Sequence, residues 1–366
     1  MHTMDYRLYN IDGYKFELVN TYDDKEYQCS FIEEKDGQRI EHYKSNLKTG
    51  HWMKISRRYI CNMFVEIRTM NGVLKEKISF LNYLKGKRVF IVFDSSALGD
   101  SIAWIPYMVE FKNKYQCDVI VSTFKNWMFQ DVYPEIEFVE PGSTVNNIVA
   151  MPQLGWFWDK EKEPVNPATV PLQQTVTNIL GLPYVELRPR IINLPGVLLE
   201  NDKYVCISTK STSQCKLWDK WPELIQALKN EGYRVIELSE GADNYGAEML
   251  EDTSLQSVIN HLKGCEFYIG LSSGISWLAW AVEAKVVMIA NFTEANHEFD
   301  CIRVENRSVC NGCWNNPKFR FNRGDWNWCP EHEDTPRQFE CHKSISVEDV
   351  MFTCKSLLQP KELDSF

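Results

Sequence analysis

Four cysteines lie close together near the end of the 366-residue chain, at Cys310, Cys313, Cys329 and Cys341. Their spacing is C-x2-C-x15-C-x11-C. Thiolates bind zinc or iron tetrahedrally, and a cysteine pair separated by two residues is typical of a metal site. Four such ligands close the coordination shell and leave no open position for substrate. The spacing therefore predicts a structural metal site, which the residues alone leave open between iron and zinc.

Other ligand sets are compatible with the same segment. His332 or His342 could replace one cysteine, and Cys301 is a spare candidate. Chance clustering among the twelve cysteines is the other interpretation, and the two-residue gap disfavours it. Six further cysteines stand among apolar residues, where we expect small core side chains: Cys29, Cys61, Cys117, Cys206, Cys265 and Cys354.

A carboxylate suited to proton transfer occurs in FDSSALGDS, residues 93–101, at the end of a strand-like run. Gly99 permits a tight turn from strand to helix, and Asp100 then falls in the first helical turn. A carboxylate in that position can act as general base on a substrate hydroxyl. The alternative role is to complement the helix dipole. Asp94, at the strand end, is the weaker candidate for the base.

Two loops in the C-terminal half carry groups suited to phosphate. The loop ISTKSTSQCKLW, residues 207–218, contains five hydroxyls and two lysines, Lys210 and Lys216. Such groups suit diphosphate oxygens, although a solvated turn is the alternative. The loop GLSSGISW, residues 270–277, leads from a strand into a helix whose N-terminus offers N–H donors. It matches neither the dinucleotide fingerprint nor a P-loop.

Loop position indicates which residues of these segments would contact a nucleotide donor. Glu237 and Ser239, at the end of the strand RVIEL, stand where a base or ribose could be held. The other expected donor contacts are Thr209, Ser211, Ser272, Ser273 and Gly274.

The elements that position these residues fall into three segments. Residues 1–85 contain short alternating strands separated by Asp-Gly and Asn-Gly turns, which predicts a small antiparallel β domain, a sandwich or barrel. From residue 86 strands alternate with helices, which predicts two Rossmann-like domains, at 86–195 and 196–366. The last domain includes the metal segment, residues 301–345. In such α/β folds ligands bind outside the carboxyl ends of the strands, so we expect a cleft there.

Composition narrows the class of partner. The net charge of −10 and the pI of about 5.4 disfavour binding to nucleic acid or to an anionic membrane surface. No window offers about 18 uncharged apolar residues, so no membrane span is expected. The start MHTMDYRLYN lacks a basic leader followed by an apolar run, and we therefore expect a cytoplasmic protein.

Together these features predict glycosyl transfer. Three polar loops at strand ends fit a nucleotide-diphosphate donor, and Asp100 supplies a base. No Asp-x-Asp pair is placed to hold a divalent metal on the diphosphate, which agrees with neutralisation by Lys216 and a helix dipole. The sequence thus favours an α/β glycosyltransferase of the GT-B type.

The chain resembles the bacterial autotransporter heptosyltransferases, distant relatives of the lipopolysaccharide heptosyltransferases. The resemblance rests on the β-rich start, ALGDSIAWIPY, CKLW, GLSSGISWLAWA and CNGCWN…WCPEHEDTPRQFEC, and it covers nearly the whole chain. It implies a GT-B enzyme that moves heptose, with inversion, from ADP-heptose to serine hydroxyls of autotransporter passenger domains. It also implies one iron per chain and a large, ring-shaped homo-oligomer.

The resemblance further implies individual roles. Asp100 would deprotonate the acceptor hydroxyl, Lys216 would bind the donor phosphate, and the four cysteines would hold iron. One departure concerns the lipopolysaccharide enzymes, whose loop carries an acidic residue and a His where this chain has Ser272 and Trp277. This departure is compatible with a donor that carries a different sugar. The competing hypotheses are another nucleotide sugar with a glycan, lipid or nucleobase acceptor, and a non-catalytic scaffold or redox sensor that depends on metal.

Overall fold

The computed structural model describes residues 4–198, 203–321 and 327–358. The chain divides into two units, each of which contains its own parallel strands. The first unit comprises Met1–Ser96, Trp104–Pro167 and Gln173–Leu187. The second comprises Ala97–Ala103, Ala168–Leu172 and Arg188–Phe366. The segment that carries Asp100 therefore belongs to the second unit.

The first half of the chain contains twelve strands within its described residues. They are β1 (Asp5–Asn10), β2 (Tyr14–Asn20), β3 (Tyr27–Lys35), β4 (Gln38–Leu47), β5 (His51–Lys54), β6 (Met63–Thr69), β7 (Leu74–Ser79), β8 (Arg88–Phe93), β9 (Asp118–Ser122), β10 (Glu137–Phe138), β11 (Ile148–Ala150) and β12 (Gln153–Leu154). The helices there are α1 (Phe80–Tyr83), α2 (Leu98–Trp104), α3 (Tyr107–Tyr115), α4 (Asn126–Phe129) and α5 (Leu172–Leu180), and Pro167–Thr169 forms a 3₁₀ turn.

The strands of residues 1–85 divide between two sheets. β1, β2 and β5 continue the sheet that contains the parallel strands, in the order β10-β9-β8-β11-β1-β2-β5, with β12 beside β8. β4, β3, β6 and β7 form a separate antiparallel sheet. The contact between β1 and β11 is parallel and pairs Asn10 with Ala150. The backbone N–H of Met151 donates to the carbonyl oxygen of Asn10 at 2.8 Å, so the end of β1 continues the sheet at this edge. The N-terminal segment is thus not a closed sandwich or barrel by itself.

The second unit is a parallel sheet with helices, as the alternating pattern predicts. Its strand order is β15-β14-β13-β16-β17-β18, and every pairing is parallel. The strands are β13 (Tyr204–Ser208), β14 (Arg234–Glu237), β15 (Glu248–Met249), β16 (Tyr268–Leu271), β17 (Val286–Ile289) and β18 (Ile302–Val304). The helices are α6 (Trp221–Asn230), α7 (Leu255–Gly264), α8 (Gly274–Ala281), α9 (Glu340–Lys343) and α10 (Val347–Leu358), and Gln214–Lys216 forms a 3₁₀ turn.

Buried apolar side chains on both strands and helices form the core of the second unit. Val205 and Ile207 of β13 pack with Leu224 and Leu228 of α6, and Val350 of α10 joins the same cluster. Pro222 lies in the first turn of α6. The backbone N–H groups of a first turn have no partner within the helix, so the missing N–H of proline costs nothing there. The packing holds the carboxyl ends of β13, β14, β16 and β17 in fixed register, and the candidate loops follow those ends. Among the described residues, no helix is long and apolar enough to cross a membrane.

Candidate active site and metal segment

Two glycines let the first turn of α2 lie directly against the start of α8. A Cβ on Gly274 would lie 2.9 Å from the Cβ of Leu98 and 3.1 Å from the backbone nitrogen of Gly99. A Cβ on Gly99 would lie 3.2 Å from Cδ1 of Trp277. Side chains at these positions would push the two helix starts apart. Asp100 is the residue after Gly99 in the same helical turn, and it is 8% exposed.

Lys216 ends the 3₁₀ turn Gln214–Lys216 and is half-buried. Its Nζ lies 5.9 Å from the centre of the Phe292 ring. Burial lowers the pKa of Lys216, while the negative charges of Glu298 and Asp100 act in the opposite direction. The candidate base and the candidate phosphate ligand are thus close enough to influence each other. The second unit brings together two residues that are widely separated in the sequence.

A buried carboxylate that the sequence analysis missed lies in the same region. Glu298 accepts hydrogen bonds from the hydroxyl of Ser272 and from Oγ1 of Thr293, the latter at 3.1 Å. Nη1 of Arg303 lies 2.7 Å from Oε2 of Glu298, and both side chains are almost fully buried. Burial tends to raise the pKa of Glu298, but the charges of His297 and Arg303 and the bond from Ser272 lower it overall. Glu298 is therefore a buried anion with defined partners.

Glu298 bears on the departure from the lipopolysaccharide enzymes. Ser272 is one of the two positions at which the sequence predicts that departure, and here a carboxylate from the loop after β17 lies against its hydroxyl. Trp277 is 4% exposed and packs edge-on against Phe299, with ring centres 4.9 Å apart. The run His297-Glu298 follows a parallel strand, so the rule that ligands gather at carboxyl ends would have indicated it.

Glu237 fixes the loop after β13 through backbone hydrogen bonds. Its carboxylate accepts from the backbone N–H of Thr209 at 3.2 Å and of Ser239 at 2.7 Å. The hydroxyls of Ser208 and Ser239 lie 2.6 Å apart. Burial raises the pKa of Glu237, and these hydrogen bonds work against that rise. At 2% exposure the carboxylate is directed to the protein's own backbone and holds the loop in place. Its contact with the donor stays a prediction.

The remaining candidates occupy different environments. Ser273 precedes α8 as the N-cap residue, with extended backbone at φ −149°. Ser211 is half-buried and Lys210 is exposed, both in the loop after β13. Asp94 is exposed and belongs to the first unit. Only Asp100 of the two candidate bases therefore lies in the unit that holds Lys216.

The four cysteines of the metal segment lie close enough to affect one another electrostatically. Burial raises the pKa of Cys310 to about 11 and of Cys341 to about 12, and it raises the pKa of Cys313 further. Cys310, Cys341 and Cys329 each add to the rise at Cys313. Without a cation such thiols repel one another when ionised, and a bound cation relieves that repulsion. Four thiolates are donors that suit iron or zinc, but among the described residues no three of these thiols have their sulfur atoms within 4.8 Å of one another.

One group in the described residues has three ligand atoms within 4.8 Å of one another: Cys310, His332 and Glu340. Glu340 is also held by Arg337, whose Nη2 lies 2.6 Å from Oε1 of the carboxylate. His342 does not belong to this group. It is 4% exposed, and burial lowers its pKa to about 4. Of the two histidines considered as substitute ligands, His332 is the one whose ring nitrogen lies within 4.8 Å of the sulfur of a cysteine of the set.

Comparison with known proteins gives matches over most of the chain. The model of glycosyltransferase family 9 (heptosyltransferase) matches residues 184–324. The autotransporter heptosyltransferase Aah of Escherichia coli is 32% identical over 91% of this chain and 89% of Aah. TibC of E. coli O78:H11 is 33% identical over 82% of this chain and 78% of TibC. BimC of Burkholderia thailandensis, an inactive autotransporter heptosyltransferase, is 32% identical over 74% of this chain and 69% of BimC.

Solved structures agree with these matches. The iron-containing dodecameric glycosyltransferase TibC superposes with a TM-score of 0.83 and 28% identity, over 97% of this chain and 96% of TibC. TibC has also been solved in complex with ADP-D-β-D-heptose, with the same TM-score. The E. coli lipopolysaccharide heptosyltransferase II gives a TM-score of 0.52 at 12% identity, over 74% of this chain and 98% of that enzyme, which is a likeness of fold alone.

The class follows from the fold, the loops at the strand ends and these matches: the chain is a glycosyltransferase. More narrowly, it belongs to the autotransporter heptosyltransferase family. The resemblance carried by the ALGDSIAWIPY, CKLW and cysteine motifs is thereby confirmed.

Proposed function

We propose that this protein is an inverting GT-B enzyme that transfers heptose from ADP-heptose to serine hydroxyls of an autotransporter-type protein. The donor is supported by the complex of TibC with ADP-D-β-D-heptose. The relative BimC is named inactive, so family membership alone does not establish turnover. The observation that carries the proposal is the presence of Asp100 and Lys216 in one unit, each within electrostatic reach of the other.

In the proposed reaction the Asp100 carboxylate takes the proton of the acceptor serine hydroxyl. The serine oxygen forms a bond to the anomeric carbon of the heptose, and the bond from that carbon to the diphosphate oxygen breaks. ADP leaves with the electron pair of that bond. Groups that are already in position stabilise the negative charge that develops on the ADP. Preorganised charge of this kind stabilises a transition state without further rearrangement.

The leaving diphosphate is proposed to lie against Lys216 and the start of α8. A helix N-terminus offers free backbone N–H groups and a positive dipole end, and Ser273 and Gly274 form that end here. Gly274 carries no Cβ, which lets the first turn of α2, and with it Asp100, lie against this helix start. The loops held by Glu237 would flank the nucleotide through Thr209, Ser211 and Ser239, and Ser272 would stand beside them.

For the metal we propose one structural iron per chain, held by the four cysteines, with zinc as the alternative. TibC is described as iron-containing and dodecameric, which supports both this metal and an assembly of identical subunits. A closed thiolate shell would order the segment and take no part in the transfer. Elemental analysis of the purified protein distinguishes the metals, and light scattering measures the assembly.

The direct test is transfer by the purified protein. ADP-heptose, ADP-glucose and UDP-glucose are each incubated with a serine-rich autotransporter passenger fragment, and the fragment is analysed by intact mass and peptide mass spectrometry. We expect heptose on serine and release of ADP with ADP-heptose alone. A fragment in which the serines are replaced by alanine is the matched acceptor control. Absence of both ADP release and modification from a folded, metal-loaded protein would contradict the proposal.

A further inference from the structure

Ser272 and Glu298 form a buried pair at the carboxyl ends of two neighbouring strands. Ser272 directly follows β16, and Glu298 lies in the loop that leads from β17 to β18. The hydroxyl of Ser272 donates to Oε1 of Glu298. The two residues are 6% and 5% exposed. Glu298 is the one hydrogen-bond partner of this hydroxyl within the described part of the chain, so one lone pair of the serine oxygen is still available to a ligand.

The surroundings of Glu298 fix the direction of that hydrogen bond. Nη1 of Arg303 donates to Oε2 of Glu298 at 2.7 Å, and Oγ1 of Thr293 donates to the same oxygen at 3.1 Å. An arginine this close to a buried carboxylate keeps it ionised, and an ionised carboxylate only accepts hydrogen bonds. The single proton of the Ser272 hydroxyl is therefore taken by Oε1. The serine oxygen can accept a further hydrogen bond but has no second proton to donate.

A serine that only accepts is unsuited to phosphate. The oxygens of a nucleotide-sugar diphosphate carry no proton at neutral pH, so they are acceptors as well and would repel the oxygen of Ser272. A sugar hydroxyl has a proton to donate. The side chain of Ser272 therefore suits a hydroxyl of the donor and not its diphosphate.

The order of the strands indicates which hydroxyl this is. β14, whose end carries the nucleoside candidates Glu237 and Ser239, lies two strands from β16 on one side, and β17 lies on the other side. Ser272 also stands two residues before Gly274, the start of α8, against which the first turn of α2 with Asp100 packs. The transferred sugar, which must be within reach of Asp100, is thus nearer to Ser272 than the ribose is.

We propose that Ser272 accepts a hydrogen bond from a hydroxyl of the transferred sugar, and that Glu298 enforces this direction by taking the serine proton. This inference rests on the proposed function, because it requires a sugar nucleotide in the site. Glu298 is a positioning residue in this account, since it touches Ser272 and not the substrate.

The contact is tested by the affinities of Ser272→Ala for two ligands. We expect ADP-heptose to bind about three- to tenfold more weakly than to wild type, the effect of one lost hydrogen bond, and ADP to bind within about twofold of wild type. Thr293→Val is the matched control, because it removes the other hydroxyl bonded to Glu298 and leaves Ser272 in place. It should bind both ligands within about twofold of wild type. Isothermal titration measures all four affinities.

Two outcomes of this titration would overturn the inference. If Ser272→Ala loses affinity for ADP and ADP-heptose equally, or for neither, the serine does not contact the sugar. If Thr293→Val shows the same selective loss as Ser272→Ala, the effect comes from the carboxylate network and not from a contact with the ligand.

Glu298→Gln tests the direction of the bond. Arg303 offers donors only, so the amide oxygen of the glutamine should face Arg303 and its nitrogen should face Ser272. The serine proton is then free to point to the ligand. The probes are analogues of ADP-heptose in which one sugar hydroxyl at a time is replaced by fluorine, which cannot donate a hydrogen bond.

We expect one fluorinated analogue to bind the wild type about three- to tenfold more weakly than ADP-heptose does. The difference should fall to within about twofold in Glu298→Gln and in Ser272→Ala. If Glu298→Gln does not fold, the comparison of Ser272→Ala with wild type across the same analogues decides. If every analogue shows the same difference in wild type and Ser272→Ala, the inference is refuted.

Failure of this inference is distinguishable from failure of the proposed function. If the protein binds and transfers the sugar of another ADP-sugar in place of ADP-heptose, the proposed donor is wrong, and the same titrations with that ADP-sugar decide the role of Ser272. If ADP-heptose is bound and its heptose transferred while Ser272→Ala matches wild type for both ligands, the proposed function stands and only the role of Ser272 and Glu298 is refuted.

Discussion

Two effects act in opposite directions on the pKa of Lys216. Burial lowers its pKa, and the carboxylates of Glu298 and Asp100 raise it. The two acids thus favour the charged ammonium in a half-buried position beside the Phe292 ring. A charged, partly desolvated lysine is a strong ligand for a diphosphate, because few competing waters surround it.

The role of Lys216 is tested against a second lysine of the same loop. Lys216→Ala should weaken ADP binding by about ten- to a hundredfold, the range expected for a lost hydrogen bond to a charged group. Lys210→Ala is the matched control, since Lys210 is exposed. Titration calorimetry with ADP measures both variants. If Lys216→Ala and Lys210→Ala bound ADP with equal affinity, the role of Lys216 as the phosphate ligand would be contradicted.

Glu298 should set the alkaline limit of donor binding. Deprotonation of Lys216 removes the charge that attracts the diphosphate, so affinity falls as pH rises through the pKa of this lysine. Glu298→Gln removes one negative charge that raises this pKa, and the fall should therefore begin at lower pH. Glu305→Gln is the control, because Glu305 also lies near Arg303, at 3.7 Å. The measurement is the affinity for ADP across pH 7 to 10. The same pH profile for Glu298→Gln and wild type would refute the effect of Glu298 on Lys216.

At the scale of elements, the contact between α2 and α8 decides where Asp100 lies. Gly99 and Gly274 permit it, and neither glycine has the positive φ of a left-handed turn. The sequence predicted both helices and both glycine-containing loops. It did not predict that the two loops meet, because a contact between distant parts of the chain leaves no local periodic pattern.

Alanine at these glycines should give a graded loss of activity. The Cβ of Gly274→Ala would meet Leu98 at 2.9 Å and the backbone of Gly99 at 3.1 Å, so the first turn of α2 must shift. A displacement of the base of about 1 Å lowers kcat by about a hundredfold. The Cβ of Gly99→Ala would meet the Trp277 side chain at 3.2 Å and the backbone of Gly274 at an ordinary contact distance of 3.5 Å, so this change should cost less. Initial-rate measurements that give Gly99→Ala the larger loss would contradict this geometry.

Local sequence patterns also predicted the N-terminal strands but not their pairing with distant strands. Alternating strands and Asp-Gly turns predicted β structure in residues 1–85, and the structure contains it. The pattern does not show that β1 pairs with β11. Apolar and polar residues alternate in the same way in a strand that extends a larger sheet and in a strand of a separate small sheet. The position of Glu298 after a strand could have indicated it, but an isolated acid in a loop resembles a solvated residue until its partners Ser272 and Arg303 are placed around it.

At the scale of the whole molecule, a buried acid in the first unit links stability to pH. Glu163 is 2% exposed, accepts one bond from the backbone N–H of Phe157 at 3.0 Å, and has no partner for Oε1 among the described residues. Burial raises its pKa from 4.5 to about 9. Between these values the folded chain holds a proton that the unfolded chain releases. Raising the pH through this window therefore reduces stability.

Glu163→Gln should remove that dependence, because glutamine has the same shape and no charge. Between pH 5 and 8 the free energy of unfolding of the wild type should fall relative to the variant by up to about 1.4 kcal/mol per pH unit. Glu161→Gln, an exposed change in the same loop, should leave the slope unchanged. Urea unfolding across this pH range measures the slopes, and parallel curves for Glu163→Gln and wild type would show that the buried acid does not titrate as described.

We propose that Asp100 is the base of a sugar transfer whose donor is held by Lys216. Its most direct test is Asp100→Asn, measured for heptose transfer from ADP-heptose and for ADP binding in the same preparation. We expect kcat to fall by about a hundredfold to ten-thousandfold, while the affinity for ADP stays within about threefold of wild type. Transfer at the wild-type rate by folded, metal-loaded Asp100→Asn would contradict it.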